Sequence, residues 1–219
     1  MNAVLPSRAA PPAAPAKRPR GRPRKTLDER DEGNRRQHVL KSAARLFRRK
    51  GFDATTTRDI AAAAGMHAGS PFYHFENKGA LLHAVMEEGM RTAMQRQAKV
   101  LDPALGPAEQ LRLLIRSHFD TLHGPGRDFI PVMLYESRSL NARQRAAIAR
   151  LQREYEAPWM PVLEALARKG RLRVDAHFGR LLIFGALNWT AQWFDARKGA
   201  SLDELTDASM ALFIGKERQ

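Results

Sequence analysis

The 219-residue chain has no cysteine. That absence removes disulfides, thiolate catalysis and thiolate-held zinc together, and it fits a reducing compartment. A charged-then-apolar leader is missing as well. The first 27 residues carry arginine and no acid, as an organellar transit peptide would, but six prolines by Pro23 oppose the amphipathic helix such peptides form. No apolar run is long enough to span a bilayer. The longest, Leu181 to Phe194, is interrupted by Asn188 and Gln192, so no membrane is expected. Alternating β patterns and internal repeats are absent. So are GxSxG, HExxH, a Walker loop, GxGxxG and any paired acid/base constellation. The expectation is a protein that is not an enzyme, with no cofactor and no metal. His83 and Glu87 stand one helical turn apart, but helix surfaces produce such pairs by chance. His118 and His123 are five apart and do not share a face.

What is present is positive charge, unevenly placed. The net charge is +14. Residues 1–27 contribute +7, residues 28–34 contribute −3, residues 35–78 contribute +6 and the remaining 141 residues only +4. A polyanion is the natural partner of so basic an N-terminal end.

Residues 1–27 are Pro, Ala and Arg with few large apolar side chains and cannot build a core. Asp28 to Glu32 read as a solvated linker that also suits the positive end of a first helix. From Arg35 the spacing becomes helical, with Val39, Leu40, Ala43, Ala44 and Phe47 on one face and Gly51 ending it. Thr56 and Asp59 have capping-box spacing for a helix reaching about Ala64, which Gly65 stops. Further helices are expected over Asn77 to Val100, Pro107 to His123 and Arg127 to Leu140, the last broken early by Pro131. A long one capped by Asn141 and Gln144 is kinked at Pro158 and Pro161 and stopped by Gly170. Another spans Asp175 to Lys198, and Ser201 with Glu204 caps the last. The fold class is all-α. The expected division is a basic tail over 1–34, a helix-turn-helix unit over 35–80, and a larger helical unit over 81–219.

The segment "GMHAGSPFYHF", Gly65 to Phe75, then has a reading. Two short helices joined by a glycine turn make a helix-turn-helix, whose second helix enters the DNA major groove N-terminus first. Ala68 and Gly69 permit close approach there, Ser70 can donate to a phosphate or a base, and Tyr73, His74 and Lys78 can reach phosphates. Phe72 and Phe75 read as core. His67 suits a turn or a phosphate contact. Double-stranded DNA is the expected partner.

The stretch "LKSAARLFRRKGFDATTTRDIAAAAGMHAGSPFYHFENKGALLHAV" resembles the DNA-binding domain of TetR-family transcriptional regulators. The first helix, the "GF-AT" corner, the "RDIA-AAG" helix and the "YHF-NK-AL" exit occur in order. The resemblance implies DNA contacts from Thr56, Arg58, Ser70, Tyr73, His74 and Lys78, and a core of Phe47, Phe52, Ile60 and Phe75. It departs from the family at His67, where a small hydroxyl residue is usual, and at Pro71, where an aliphatic one is. Proline admits two arrangements. Either the recognition helix begins at Pro71 with Ser70 as its N-cap, the one the sequence favours, or residues 68–70 form a tighter lead-in turn.

Upstream, "KRPRGRPRK" resembles an AT-hook. Gly21 lets the backbone sink to the groove floor, Pro23 and its partner proline keep the peptide extended, and Arg20 and Arg22 point opposite ways along an A·T minor groove. The plainer reading is a basic solubilising tail.

The rest offers aromatic and apolar bulk. Phe119, Phe129, Met133, Trp159, Phe184, Trp189 and Trp193 are the candidate lining of a ligand pocket, against the plain alternative of ordinary core. The family resemblance implies a small-molecule inducer and a homodimer built from the last two helices. Independently, Leu181 to Phe194 is too apolar for one buried face. "ALNWTAQWF" is also similar to regulators of lipid and steroid catabolism that respond to acyl-CoA thioesters. The expectation is a cytoplasmic, nucleoid-associated dimeric repressor released from a palindromic operator by an apolar or acyl-CoA-type inducer. An architectural nucleoid protein without an inducer is the alternative.

Overall fold

A computed structural model of the chain describes residues 27–67 and 71–215, with side chains described from residue 33 onward except at 68–72. The described residues form ten α-helices and two short 3-10 turns. Their one extended pairing is a single antiparallel bridge between Leu172 and Ile214.

Helix α1 covers Leu27–Lys50, so the acidic segment expected as a linker is helical. Acids are favoured in a helix's first turns by the backbone dipole, and no proline interrupts them. Val39, Leu40, Ala43, Ala44 and Phe47 form its buried face, as the spacing predicts. The chain reverses at Gly51, whose φ of +82° suits glycine. Helix α2, Thr57–Ala63, opens on a capping box. Thr56 Oγ1 accepts from the Asp59 N–H at 3.1 Å, and the Asp59 carboxylate accepts from the Thr56 N–H at 3.0 Å. The turn at Gly65, φ +67°, leads toward α3, Pro71–His74.

Helices α4 (Lys78–Val100) and α5 (Pro107–His123) form the centre of the molecule. Helix α4 packs against α1, α5, α6 and α7, and α5 packs against α8, α9 and α10. Helix α6 is shorter than expected, Phe129–Glu136, and a 3-10 turn over Ser137–Ser139 follows it. Pro131 does not break it. It occupies the first turn, where a missing N–H costs no intrahelical bond. The expected kinked helix is two, α7 (Ala142–Glu156) and α8 (Trp159–Arg168), because Pro158 sits between them and Pro161 falls in the first turn of α8. Helix α9, Ala176–Trp193, stops short of Lys198. Asp195 caps a 3-10 turn over Ala196–Lys198 instead. Helix α10, Leu202–Phe213, opens on the Ser201–Glu204 capping box.

Helix α4 approaches α6 closely at Gly89, where a Cβ would lie 2.8 Å from the Phe129 Cβ. Because α6 also packs on α1, α1, α4 and α6 form one continuous stack. Two polar contacts reinforce it: Gln37 Nε2 donates to Glu88 at 3.2 Å, and Arg48 pairs with Asp128 at 2.8 Å.

Candidate functional site

The basic helical head is built around α1. Phe47 and Ile60 are fully buried and Phe75 nearly so. Phe52 is half-buried, its ring 5.5 Å from that of Phe47. On the outside, Thr56, Arg58 and His67 are exposed. Accepting from Asp59 leaves the Thr56 hydroxyl proton available to a further acceptor. Bonds from Thr56, with Lys50 3.7 Å away, hold the Asp59 carboxyl below its ordinary range. Helix α3 starts at Pro71, and His67 is not helical. Ala68, Gly69 and Ser70 lie outside the described residues, and so does the N-cap role expected of Ser70. Tyr73 is 79% exposed and stands edge-on to His74 at 5.2 Å. His74 is half-buried, between Tyr73 and Phe75.

Lys78 differs from expectation. Its ammonium is turned onto the corner between α1 and α2, where it donates to the carbonyls of Phe52 at 2.8 Å, Thr55 at 3.0 Å and Asp53 at 3.4 Å. It also lies 4.2 Å from the centroid of the Phe52 ring. Lys78 is the clamp of the head, joining the start of α4 to a corner more than twenty residues upstream. Lys78→Met leaves these carbonyls without their partner, and a loss of about 1–3 kcal/mol follows. A thermal melt lowered by about 3–10 °C is the expected outcome. An unchanged melt, with the salt slope of DNA binding lower by about one charge, would assign the ammonium to a phosphate instead.

A cavity of about 40 Å³ lies among α4, α5, α6, α7 and α9. Met90, Ile130, Met133, Leu134 and Phe184 supply its apolar wall, and His118, Tyr155 and Asn188 a polar one. Asn188 presents its carboxamide oxygen 3.1 Å from His118 Nε2, so that nitrogen carries the proton and donates. Nδ1 then accepts from the Tyr155 hydroxyl at 2.9 Å. Behind it, Trp159 Nε1 donates to Gln97 Oε1 at 2.8 Å, and Gln97 Nε2 donates to the Tyr155 carbonyl at 2.9 Å. Five helices are thereby joined through satisfied buried polar groups. Burial pushes His118 down to about 4, more than the bond to Asn188 raises it. Burial also pushes the Tyr155 hydroxyl up.

Of the residues expected to line a pocket, Met133 and Phe184 do so. Trp159 is fully buried with its ring 4.6 Å from that of Phe184, and it supports the wall. Phe119 is fully buried core. Phe129 lines a different groove of about 260 Å³, beside Gln37, Lys41 and Gly89. Trp189 and Trp193 do not line that cavity. They are 64% and 57% exposed, on the outer face of α9 with Phe178, Leu181 and Leu182. The apolar residues of α10 face two ways. Leu202, Leu205 and Phe213 pack on the core of their own chain, and Leu212 faces outward. The sequence reading missed Gln97, because a glutamine inside a long helix looks like surface until its partners 58 and 62 residues away are known.

Among the described residues, no helix is long and apolar enough to cross a membrane. Residues 39–85 match the family model of bacterial regulatory proteins, tetR family, and residues 104–215 match that of the tetracyclin repressor-like C-terminal domain. The HTH-type transcriptional repressor KstR2 of Rhodococcus jostii is 29% identical over 192 residues, covering 85% of this chain and 92% of that protein. A TetR-family transcriptional regulator from Bordetella parapertussis superimposes with a TM-score of 0.74 at 28% identity, over 82% of this chain and 94% of that one. The superantigen PfiT does so with a TM-score of 0.69 at 36% identity, over 83% and 97%.

Proposed function

Because the chain belongs to the tetR family of bacterial regulatory proteins, DNA-binding transcriptional regulators of the helix-turn-helix type, we propose that it is a homodimeric repressor released from a palindromic operator by a small apolar or acyl-CoA-type inducer. The observation that carries this reading is the head itself. A glycine turn at Gly65 leads to a four-residue α3 whose Tyr73 stands outward beside His74, on a segment rich in basic residues. Two such heads enter successive major grooves roughly one helical turn apart. Thr56, Arg58, His67, Tyr73 and His74, together with Ala68, Gly69 and Ser70, are the residues proposed to contact the DNA. The basic tail, Arg20 to Pro23 at its centre, adds minor-groove affinity on A·T-rich flanks. Tail, head and larger helical unit divide these tasks among them, and the protein acts in the cytoplasm.

The inducer enters the cavity walled by Met133, Phe184, His118 and Tyr155. At about 40 Å³ this space holds water-sized groups only. An inducer therefore binds a conformation in which the helices have parted, and it acts by preferring that conformation. Helix α4 is the mechanical link, because one end carries the Lys78 clamp and its middle meets α6 at Gly89.

Fluorescence anisotropy on DNA from the protein's own promoter region tests the reading. The full chain is expected to bind. Tyr73→Ala with His74→Ala is expected to weaken binding about a hundredfold, by loss of two positioning contacts. Removing residues 1–27 should lower both the affinity and its salt slope, and acyl-CoA thioesters should release the complex. Indifference to the promoter even in dilute salt, or unchanged occupancy in the double variant, refutes the proposal. No release by acyl-CoAs refutes the inducer class alone.

A further inference from the structure

A second cavity, of about 230 Å³, opens where the end of α1 meets the ends of α5 and α9 and the 3-10 turn after α9. It differs in chemistry from the apolar one. Arg48, Arg127 and Arg197 converge on it together with His123, Phe194 and Asp195. We propose that this cavity is an oxyanion site that takes a phosphate group, either free phosphate or the phosphate of a larger organic ligand.

Three guanidinium groups from three separate elements surround one space, and each has donors to spare. Arg127 has no carboxylate partner among the described residues. Arg48 uses one terminal nitrogen on Asp128, at 2.8 Å. Arg197 uses Nε and Nη2 on Asp195, which leaves Nη1. The two carboxylates offset two of the three charges, so the site keeps a net positive charge. Guanidinium forks approaching from several directions match the three oxygens of a phosphate better than the single plane of a carboxylate.

His123 completes the site. Thr190 Oγ1 donates to the Leu187 carbonyl at 2.6 Å, so the hydrogen bond of 2.9 Å between His123 Nε2 and Thr190 Oγ1 has the histidine as donor. The lone pair of the neutral ring is then on Nδ1. Burial, and the charges of Arg48 and Arg127, push His123 down to about 4. A bound dianion reverses the electrostatic part of that effect and draws a proton onto the ring. Because Arg48 also ties α1 to α6 through Asp128, an anion here competes for a guanidinium that the fold already uses.

The site can be tested without DNA, so its failure is distinguishable from failure of the regulator reading. The imidazole signals of the full chain are followed by NMR while inorganic phosphate, or adenosine 3′,5′-bisphosphate, is added at constant ionic strength. The expected result is a saturable shift at His123, an upward move of its titration from about 4, and binding about tenfold weaker in Arg127→Gln. Arg127 is exposed, and an unchanged thermal melt confirms that this variant folds. Tighter binding of the bisphosphate assigns the phosphate to an organic ligand, and equal binding assigns it to the free ion. No saturable shift with either compound, or equal affinity in Arg127→Gln, overturns the proposal.

Discussion

Trp189→Asp is expected to leave each subunit folded and to abolish the proposed dimer at micromolar concentration. Helix α9 is apolar on two sides. Ile183, Phe184 and Leu187 face the core of their own chain, while Phe178, Leu182, Trp189 and Trp193 face outward. The outward set recurs at intervals of three or four residues once the exposed Gly185 is included, which is the seam of a helix that meets another helix. Trp189 touches solvent over most of its surface, so the subunit itself loses little when it is replaced. In a two-fold interface the substitution occurs twice. A central tryptophan commonly contributes 2 kcal/mol or more, and an aspartate in its place buries an unpaired charge. A total near 4 kcal/mol or above weakens dimerisation by about a thousandfold. Sedimentation velocity should show monomer, and affinity for a full palindrome should fall to that for a half-site. A variant that remains dimeric at micromolar concentration removes α9 from the interface.

The same helix shows what could be read from the sequence. Structure set by residues within about four positions of one another was legible. The capping pairs Thr56–Asp59, Asn141–Gln144 and Ser201–Glu204 all form, and the glycine stops at Gly51, Gly65 and Gly170 all adopt positive φ. The apolar content of α9 indicated two buried faces. It could not say which tryptophans belonged to which face, and Trp189 and Trp193 were placed with the pocket. Lys78 was misread for a related reason. Beside Asn77 it looks like an exposed cation at a helix start, and only the return of the chain brings the Phe52 carbonyl to its ammonium. His118 gave no local signal, because its partners Tyr155 and Asn188 lie 37 and 70 residues away. Pro71 and Pro107 were read correctly as helix starts, whereas Pro131 was read as a break and lies inside the first turn of α6. Whether Pro158 kinks one helix or separates two depends on how α7 and α8 each pack, which the chain does not encode locally.

That distant network makes the protein acid-labile well above the range where carboxylates titrate. His118 is held neutral in the folded state, pushed down to about 4 by burial, whereas in the unfolded chain it protonates near 6.5. Below about pH 6.5 the unfolded state therefore binds a proton that the folded state refuses, and stability falls as pH falls. The contribution is complete above pH 6.5, diminishes as acid is added, and is gone near pH 4, where the folded state is protonated as well. For a fully buried ring the change is about 3 kcal/mol. His123 shifts in the same direction and to about the same value. It is only half-buried, so solvent screening reduces its share. Denaturant melts at a series of pH values should show the midpoint falling steeply between pH 6.5 and 4. His118→Gln keeps one donor and one acceptor for Asn188 and Tyr155 but does not titrate. It is expected to be less stable than the parent at pH 7.5 and to lose less on acidification, so that the two curves converge toward pH 4. Parallel curves would mean that His118 takes up its proton at the same pH in the folded and unfolded states, and would remove its burial as the source of the acid lability.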